Sequence, residues 1–247
     1  MAEKNPNKIY GLIGKDIGYS FSGQYFAEKF SNENIRDSVY ETYDLKDISA
    51  IEKLFRNPNL KGLNVTIPYK EQIIPYLDEL SPEAKEIGAV NCVKIEKGKK
   101  TGFNTDVFGF EKSLKPLLEN HHKSALVLGS GGASKAVNFV LKKLQISFQI
   151  VSRKGILTYQ DLDEDEIKNH QLIINCTPLG TTPNISQAPE IPYEFLTQNH
   201  FLYDLVYNPP KSKFLQLGEN QKSKIKNGYE MLILQAEKSW EIWNRAL

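Results

Sequence analysis

The stretch Leu126-Val127-Leu128-Gly129-Ser130-Gly131-Gly132-Ala133 constrains this chain more than any other. The apolar run Ala125 to Leu128 predicts a buried strand. Glycines end it, and a helical pattern from Ala133 to Leu144 begins almost at once. Glycines at such a junction permit a tight turn and let backbone N–H groups approach a phosphate, whose charge the amino end of a helix favours. The pattern is G-x-G-G-A-S, with Ser134 where the full dinucleotide fingerprint has its third glycine. Strand–helix turns with glycines also occur without a ligand. A nucleotide site at Gly129, Ser130, Gly131, Gly132 and Ala133 is the expectation, and the second strand strengthens it.

That second apolar strand, Ser147 to Val151, ends in Ser152-Arg153-Lys154. A cofactor with a free ribose 2′-hydroxyl calls for an Asp or Glu at this point, roughly twenty residues after the glycines. Arg and Lys instead suit a 2′-phosphate dianion, and Arg can bind one bidentately. An isolated basic pair is otherwise an ordinary solvated loop. At this offset from a glycine turn, Arg153 and Lys154 point to NADP(H).

At 247 residues the chain can hold one large or two small domains. A net charge of +1 gives no argument for nucleic acid or an acidic membrane surface as partner. No apolar run approaches membrane-spanning length, and Met1 to Lys8 is polar, so neither a membrane span nor a signal peptide is expected. Cys92 and Cys176 lie far apart and show no metal-ligand spacing. They read as reduced thiols of a cytoplasmic protein with no metal site.

Before the glycine turn, Lys8 to Gly14 reads as a strand and Ser22 to Phe30 as a helix. Ser20 and Ser22, either side of Phe21 in the connecting loop, are suited to capping that helix. Val39 to Tyr43 is a short strand, and Asp47 caps a helix running to Phe55. A strand through Leu63 and Val65 meets Pro68, which fits the first turn of a helix and puts Lys70 in that turn, at the carboxyl end of a strand. A cation there opposes the helix dipole, a mild cost that a purely structural role does not explain. Asn91 to Ile95 alternates as a strand, Lys97-Gly98-Lys99 is its hairpin turn, and Thr101 to Phe103 returns. Asp106, at the next strand-to-helix junction, is suited to an N-cap. Further on, Leu172 to Asn175 and Phe201 to Tyr207 read as strands, and Tyr229 to Trp243 as a helix with Leu232, Ala236, Trp240 and Trp243 on one stripe. Gln235 lies beside the stripe, where an exposed amide is expected. Alternating strands and helices make the chain α/β with parallel sheets.

These motifs, in this order, resemble the shikimate dehydrogenase family from about Gly14 to Trp243. The family's Ser-x-Ser loop stands as Ser20-Phe21-Ser22, its Asn-Val-Thr-x-Pro-x-Lys motif as Asn64 to Lys70, and its Gly-x-Asn-Thr-Asp-x-x-Gly motif as Gly102 to Gly109. Gly88 to Asn91, the nucleotide turn, Ser152-Arg153, Asn175 to Gly180, Tyr203 to Tyr207 and Asn227 to Leu232 follow in register. Departures are local. Cys92 replaces the usual threonine, Asp16-Ile17-Gly18-Tyr19 and Ser22-Gly23-Gln24-Tyr25-Phe26 depart from the family's early Pro- and His-bearing pattern, and Lys154 stands where threonine commonly follows the Arg.

The resemblance implies two domains. An N-terminal α/β substrate-binding domain covers residues 1–105 and is completed by the returning C-terminal helix, 227–247; a Rossmann-like NADP-binding domain covers 106–226. It implies reduction of 3-dehydroshikimate to shikimate with NADPH, in chorismate and aromatic amino-acid biosynthesis. Lys70 and Asp106 are the implied catalytic pair. Ser20 and Ser22, with Tyr207, would hold the substrate carboxylate; Thr66, Asn91, Asp106 and Gln235 would address ring hydroxyls. Ser152, Thr177, Leu205 and Gly228 join the glycine turn, Arg153 and Lys154 as cofactor contacts. Lys70 as an ammonium can protonate the developing alkoxide, and a nearby Asp106 favours the charged amine. The resemblance leaves open a monomer or a homodimer. Two other readings also remain: a quinate/shikimate dehydrogenase that accepts NAD, and a catalytically idle NADPH-binding sensor.

Overall fold

In the computed structural model, which describes residues 7–18 and 20–245, the last five residues of β1 (Lys8–Gly14) are buried. After it come α1 (Phe21–Asn32), β2 (Ser38–Asp44), and a turn of 3-10 helix that Asp47 caps by accepting the Ser49 N–H at 2.8 Å. That turn runs into α2 (Ile51–Phe55), and β3 (Leu60–Val65), α3 (Tyr69–Gln72), β4 (Glu79–Leu80), α4 (Pro82–Ile87), β5 (Cys92–Glu96) and β6 (Lys99–Phe103) complete the series. Tyr19, in the loop before α1, lies outside the described residues, as do residues 1–6, 246 and 247.

These strands form one six-stranded sheet in the order β2-β1-β3-β5-β6-β4. β1 pairs parallel with β2 and β3, but β5 runs antiparallel to both β3 and β6. The sheet is therefore mixed, where strand–helix alternation predicts parallel pairing. The cause is the hairpin: Lys97 (φ 51°) and Gly98 (φ 83°) both take the left-handed backbone of a two-residue primed turn.

The chain continues through α5 (Asp106–Leu114), β7 (Ser124–Leu128), α6 (Gly132–Lys143), β8 (Ser147–Val151), α7 (Glu164–Asn169), β9 (Leu172–Asn175), β10 (Phe201–Asp204), α8 (Lys213–Asn220), β11 (Lys224–Lys226) and α9 (Tyr229–Asn244). Its five strands are all parallel, in the order β11-β10-β9-β7-β8. This is the doubly wound 2-1-3-4-5 arrangement, and the strand order reverses between β7 and β9, the place where such sheets bind ligands. The fold is thus mixed α/β with a separate Rossmann-like parallel sheet. One compact unit runs up to Thr105 and includes the chain from Ala236; the other is Asp106–Gln235, so the division falls inside α9.

Four local expectations are corrected. Pro68 is not inside a helix; it precedes the single-turn α3, after a cis Ile67–Pro68 bond. Asn91 to Ile95 does not alternate, because Cys92, Val93 and Lys94 are all buried. The end of α9 covers them: Trp243 Nε1 donates to the Val93 carbonyl at 3.0 Å, and the Lys94 amine donates to the Arg245 carbonyl. β10 stops at Asp204 rather than Tyr207, since the Asp204 carboxylate accepts the Val206 N–H at 3.0 Å. β8 has the expected bounds but lies at the sheet edge and is largely exposed.

In the first unit Ile13, Leu63, Val65, Tyr69 and Ile73 anchor an aliphatic core, and a second cluster is aromatic. There Phe26 stacks on Tyr40 (centroids 4.4 Å apart) and Tyr10 on Trp243 (4.9 Å). Phe26, Tyr10 and Trp243 are buried and contribute on the order of 1.5–3 kcal/mol each, which ties α1 and the end of α9 to the sheet. Leu126, Leu128, Ile173, Leu202 and Phe214 centre the other unit's core.

Candidate active site

In the first unit the expected polar motifs share one edge of the mixed sheet. Because β5 runs against β3 and β6, with Cys92 opposite both Asn64 and Phe103, the amino end of β5 lies beside the carboxyl ends of β3 and β6. Asn91, Thr66 and Thr105 therefore meet at that edge. Asn91 is buried; its Oδ1 accepts the Thr105 N–H at 2.6 Å and its Nδ2 donates to Thr105 Oγ1 at 3.0 Å. Ser239, fully buried on α9, lies 3.1 Å from the Thr105 hydroxyl and accepts from Asn64 Nδ2 at 2.9 Å. Tyr40 donates to Asn64 Oδ1 at 2.9 Å and also meets the Ser22 hydroxyl. Burial holds the Tyr40 phenol far above its ordinary pKa, so it stays a neutral donor in this network.

Ser20 takes its capping role: it is the N-cap of α1 and accepts the Ser22 N–H at 3.4 Å. Thr66 and Lys70 are half-buried, and the Lys70 carbonyl accepts the Val90 N–H at 2.8 Å, which fixes the α3 turn to the segment before β5.

In the second unit Asp106 is buried and is the first residue of α5, inside the first helical turn rather than capping it. Gly109 lets α5 approach α9 closely: a Cβ there would sit 2.6 Å from the Met231 carbonyl and 3.2 Å from Gln235 Cβ. Gln235 is half-buried, not an exposed amide, and donates to the Leu232 carbonyl at 2.9 Å. Tyr207 is half-buried in the segment after β10.

The glycine turn sits at the strand-order reversal. Gly129 has φ +104°, donates to the Val151 carbonyl at 2.8 Å, and faces Thr177 so closely that a Cβ would lie 3.0 Å from Thr177 Cγ2. Gly131 is the N-cap of α6, with Ser130 exposed before it and Gly132 and Ala133 opening the helix. Ser134 is buried and donates to the Gly131 carbonyl at 2.6 Å, so a serine is accommodated in place of the third glycine. Ser152, after β8, donates its N–H to the Leu157 carbonyl at 3.1 Å. Arg153 lines a cavity of about 520 Å³ together with Tyr159, Leu179, Gln187, Ala188 and Glu190. Lys154 is exposed and is not one of those lining residues. A side chain at Gly228 would run into the Leu205 carbonyl, which places these two residues in direct contact.

Residues 12–93 match the shikimate dehydrogenase substrate binding domain. Over 94% of its length the chain is 37% identical to the shikimate dehydrogenase (NADP(+)) of Clostridium botulinum, and 95% of that protein is covered. The chain belongs to the shikimate dehydrogenase family. Among solved structures, shikimate 5-dehydrogenase of Thermus thermophilus in complex with NADP(H) and shikimate superposes with a TM-score of 0.84 at 29% identity, over 97% of this chain and 94% of that one. Quinate dehydrogenase of Corynebacterium glutamicum in complex with NAD gives 0.86 at 25% identity, over 96% and 93%.

Sequence reasoning misses three features of this family member, and two of them leave no signal. Tyr159 reaches the Arg153 cavity from a single 3-10 turn and Gln187 and Glu190 from irregular segments, none of them carrying a periodicity. The buried link from Tyr40 through Asn64 to Ser239 joins segments far apart in the chain. Asp204 did leave a signal, a carboxylate inside an apolar strand, and it is fully buried. Among the described residues, no group of three or more His, Cys, Asp or Glu could hold a metal ion, and no helix is long and apolar enough to cross a membrane.

Proposed function

We propose that this chain is an NADP-dependent shikimate dehydrogenase, reducing 3-dehydroshikimate to shikimate within chorismate biosynthesis. The observation that carries the reading is family membership over nearly the whole chain, with Lys70 and Asp106 both retained. The residues present fit the cofactor. Gly129 takes the left-handed backbone that the turn needs, Gly131 leaves open space at the amino end of α6 where a side chain would stand, and Arg153 brings a guanidinium to a cavity at the carboxyl end of β8.

NADPH, when bound, would supply the hydride to the ketone. Lys70 holds the proton on Nζ and releases it to the developing alkoxide, stabilising that charge before transfer. Asp106 accepts a hydrogen bond from a substrate hydroxyl, and Thr66, Asn91 and Gln235 address the other ring hydroxyls. Ser22 and Ser20, with Tyr207, hold the carboxylate through neutral hydroxyl donors. On the nucleotide side, the α6 amino end with Gly129 to Ala133 cradles the pyrophosphate. Arg153 would bind the 2′-phosphate, with Ser152, Lys154, Thr177, Leu205 and Gly228 as further cofactor contacts. The enzyme works in the cytoplasm as a monomer or homodimer.

A quinate dehydrogenase reading draws on the likeness to the Corynebacterium glutamicum structure with NAD. Arg153, in place of the acid that NAD favours, weighs against it. Steady-state assays pairing shikimate or quinate with NADP⁺ or NAD⁺ decide the matter. Turnover is expected to be highest with shikimate and NADP⁺; preference for quinate and NAD⁺ would overturn the reading, and no turnover in any pairing would leave a nucleotide-binding sensor.

A further inference from the structure

Asp204 ends β10 with its side chain wholly buried, and among the described residues it makes no ion pair. Its Oδ1 accepts from Asn175 Nδ2 at 2.9 Å and from the Val206 N–H at 3.0 Å, and its Oδ2 accepts from the Ser212 hydroxyl. Each donor belongs to a different segment. Asn175, at the end of β9, uses its own Oδ1 to accept the Thr177 N–H at 2.9 Å and the Thr177 hydroxyl at 2.7 Å. The Val206 carbonyl accepts the Gly228 N–H at 3.1 Å, next to the contact between Leu205 and Gly228. Ser212 is the N-cap of α8. One carboxylate thus joins the backbone around Thr177, Leu205 and Gly228.

This arrangement works against stability at neutral pH. Burial is the largest influence and pushes the Asp204 pKa up to about 6, against the three donors that favour the anion. A carboxyl whose folded pKa exceeds its unfolded value adds stability when protonated at low pH and loses it as pH rises through about 6. The titratable groups facing it are the Cys176 thiol and the Tyr193 phenol. Burial pushes both upward, so both are neutral in this range and neither supplies a counter-charge. A buried charge without a counter-charge costs stability that a neutral side chain at this position would not lose.

We propose that Asp204 is a positioning residue of the nucleotide site: its ionised carboxylate sets Thr177, through Asn175, and the Leu205–Val206 backbone for cofactor binding, and binding weakens when that carboxylate is neutral. The proposal rests on the reading of Thr177, Leu205 and Gly228 as cofactor contacts. A carboxylate offers two acceptor oxygens to these donors; an amide offers one and turns a donor toward Ser212.

NADPH is titrated by its fluorescence into the wild type, Asp204→Asn and Ser212→Ala from pH 5 to 8, with a thermal melt at each pH. NADH is run in parallel because it lacks the 2′-phosphate, which itself titrates at roughly pH 6. At pH 8 Asp204→Asn is expected to bind both nucleotides about tenfold more weakly, the effect of one net hydrogen bond, while melting no lower than the wild type. Wild-type affinity falls toward the variant's as pH drops through about 6 with both nucleotides. Ser212→Ala, which deprives the carboxylate of a donor, moves that fall to higher pH. Wild-type-like affinity of Asp204→Asn throughout overturns the proposal, and so does a loss of affinity that merely tracks a lowered melting temperature. A wild type that binds neither nucleotide at pH 8 overturns the cofactor reading and this inference with it.

Discussion

The Trp243 indole fills the space that a side chain at Gly62 would need, and its Nε1 donates to the Val93 carbonyl on the neighbouring strand. One residue near the chain's end is thereby keyed to two central strands of the mixed sheet. Gly62→Ala forces the indole or the strand to shift, and overpacking of this kind costs about 1–3 kcal/mol. Denaturant unfolding followed by tryptophan fluorescence should show a loss of that size. An unchanged midpoint would mean that the end of α9 is not held at this position.

Arg153→Ala should weaken NADPH binding by about 1.5–3 kcal/mol, the range for hydrogen bonds to charged groups, and leave NADH binding nearly unchanged. Calorimetric titration of both nucleotides checks this. Equal losses with both would place the guanidinium's role elsewhere in its cavity.

Lys70→Ala should lower kcat by about two to four orders of magnitude, the usual contribution of general acid–base catalysis. Shikimate affinity should change far less, because Ser20, Ser22, Asn91 and Gln235 remain. Stopped-flow turnover and equilibrium binding separate the two effects, and a near-normal kcat rules out the proton donor assigned here.

His122 makes the parallel-sheet unit acid-sensitive. It is buried, and its Nδ1 accepts the Glu119 N–H at 2.9 Å. Burial, then the neighbouring His121, lower its pKa. Its folded pKa lies below the unfolded value, so the stability it contributes is present above about pH 6.5 and is lost as pH falls below it. Asp204 acts in the opposite sense up to about 6, so the quantity to read is a difference between variants. His122→Asn keeps an acceptor for Glu119 and removes the titration. Its melting temperature relative to the wild type should rise as pH drops from 7 to 5; a constant difference would contradict the assignment.

Much of this was legible in the sequence where local chemistry decides structure. The glycine turn, the Lys97–Gly98 hairpin and the β7 and β9 runs are short-range signals, and the structure follows them closely. The hairpin already states that β5 and β6 run antiparallel, but the pairing of β5 with β3 was not legible, because nothing within Asn91 to Ile95 states which second neighbour the strand will meet. The same holds for burial: Lys94 reads as a solvent-facing lysine, and only the arrival of α9 buries it. Ser20 carried two compatible meanings, and the structure assigns it the cap. Asp204 was visible as a carboxylate in an apolar strand, yet its partners come from β9, the turn after β10 and the start of α8, which no spacing rule connects.

The antiparallel hairpin also gives the first unit a handle. Cys92 and Phe103 pair at the polar edge, whereas Glu96 and Lys99 pair at the other end, where Lys97 and Gly98 are exposed. A loop tip of this kind tolerates inserted sequence, because no buried backbone bond depends on it. A peptide epitope or a cysteine for dye coupling placed between Lys97 and Gly98 would report on the molecule, or tether it to a surface, while leaving the Asn91–Thr105 edge free to meet its ligand.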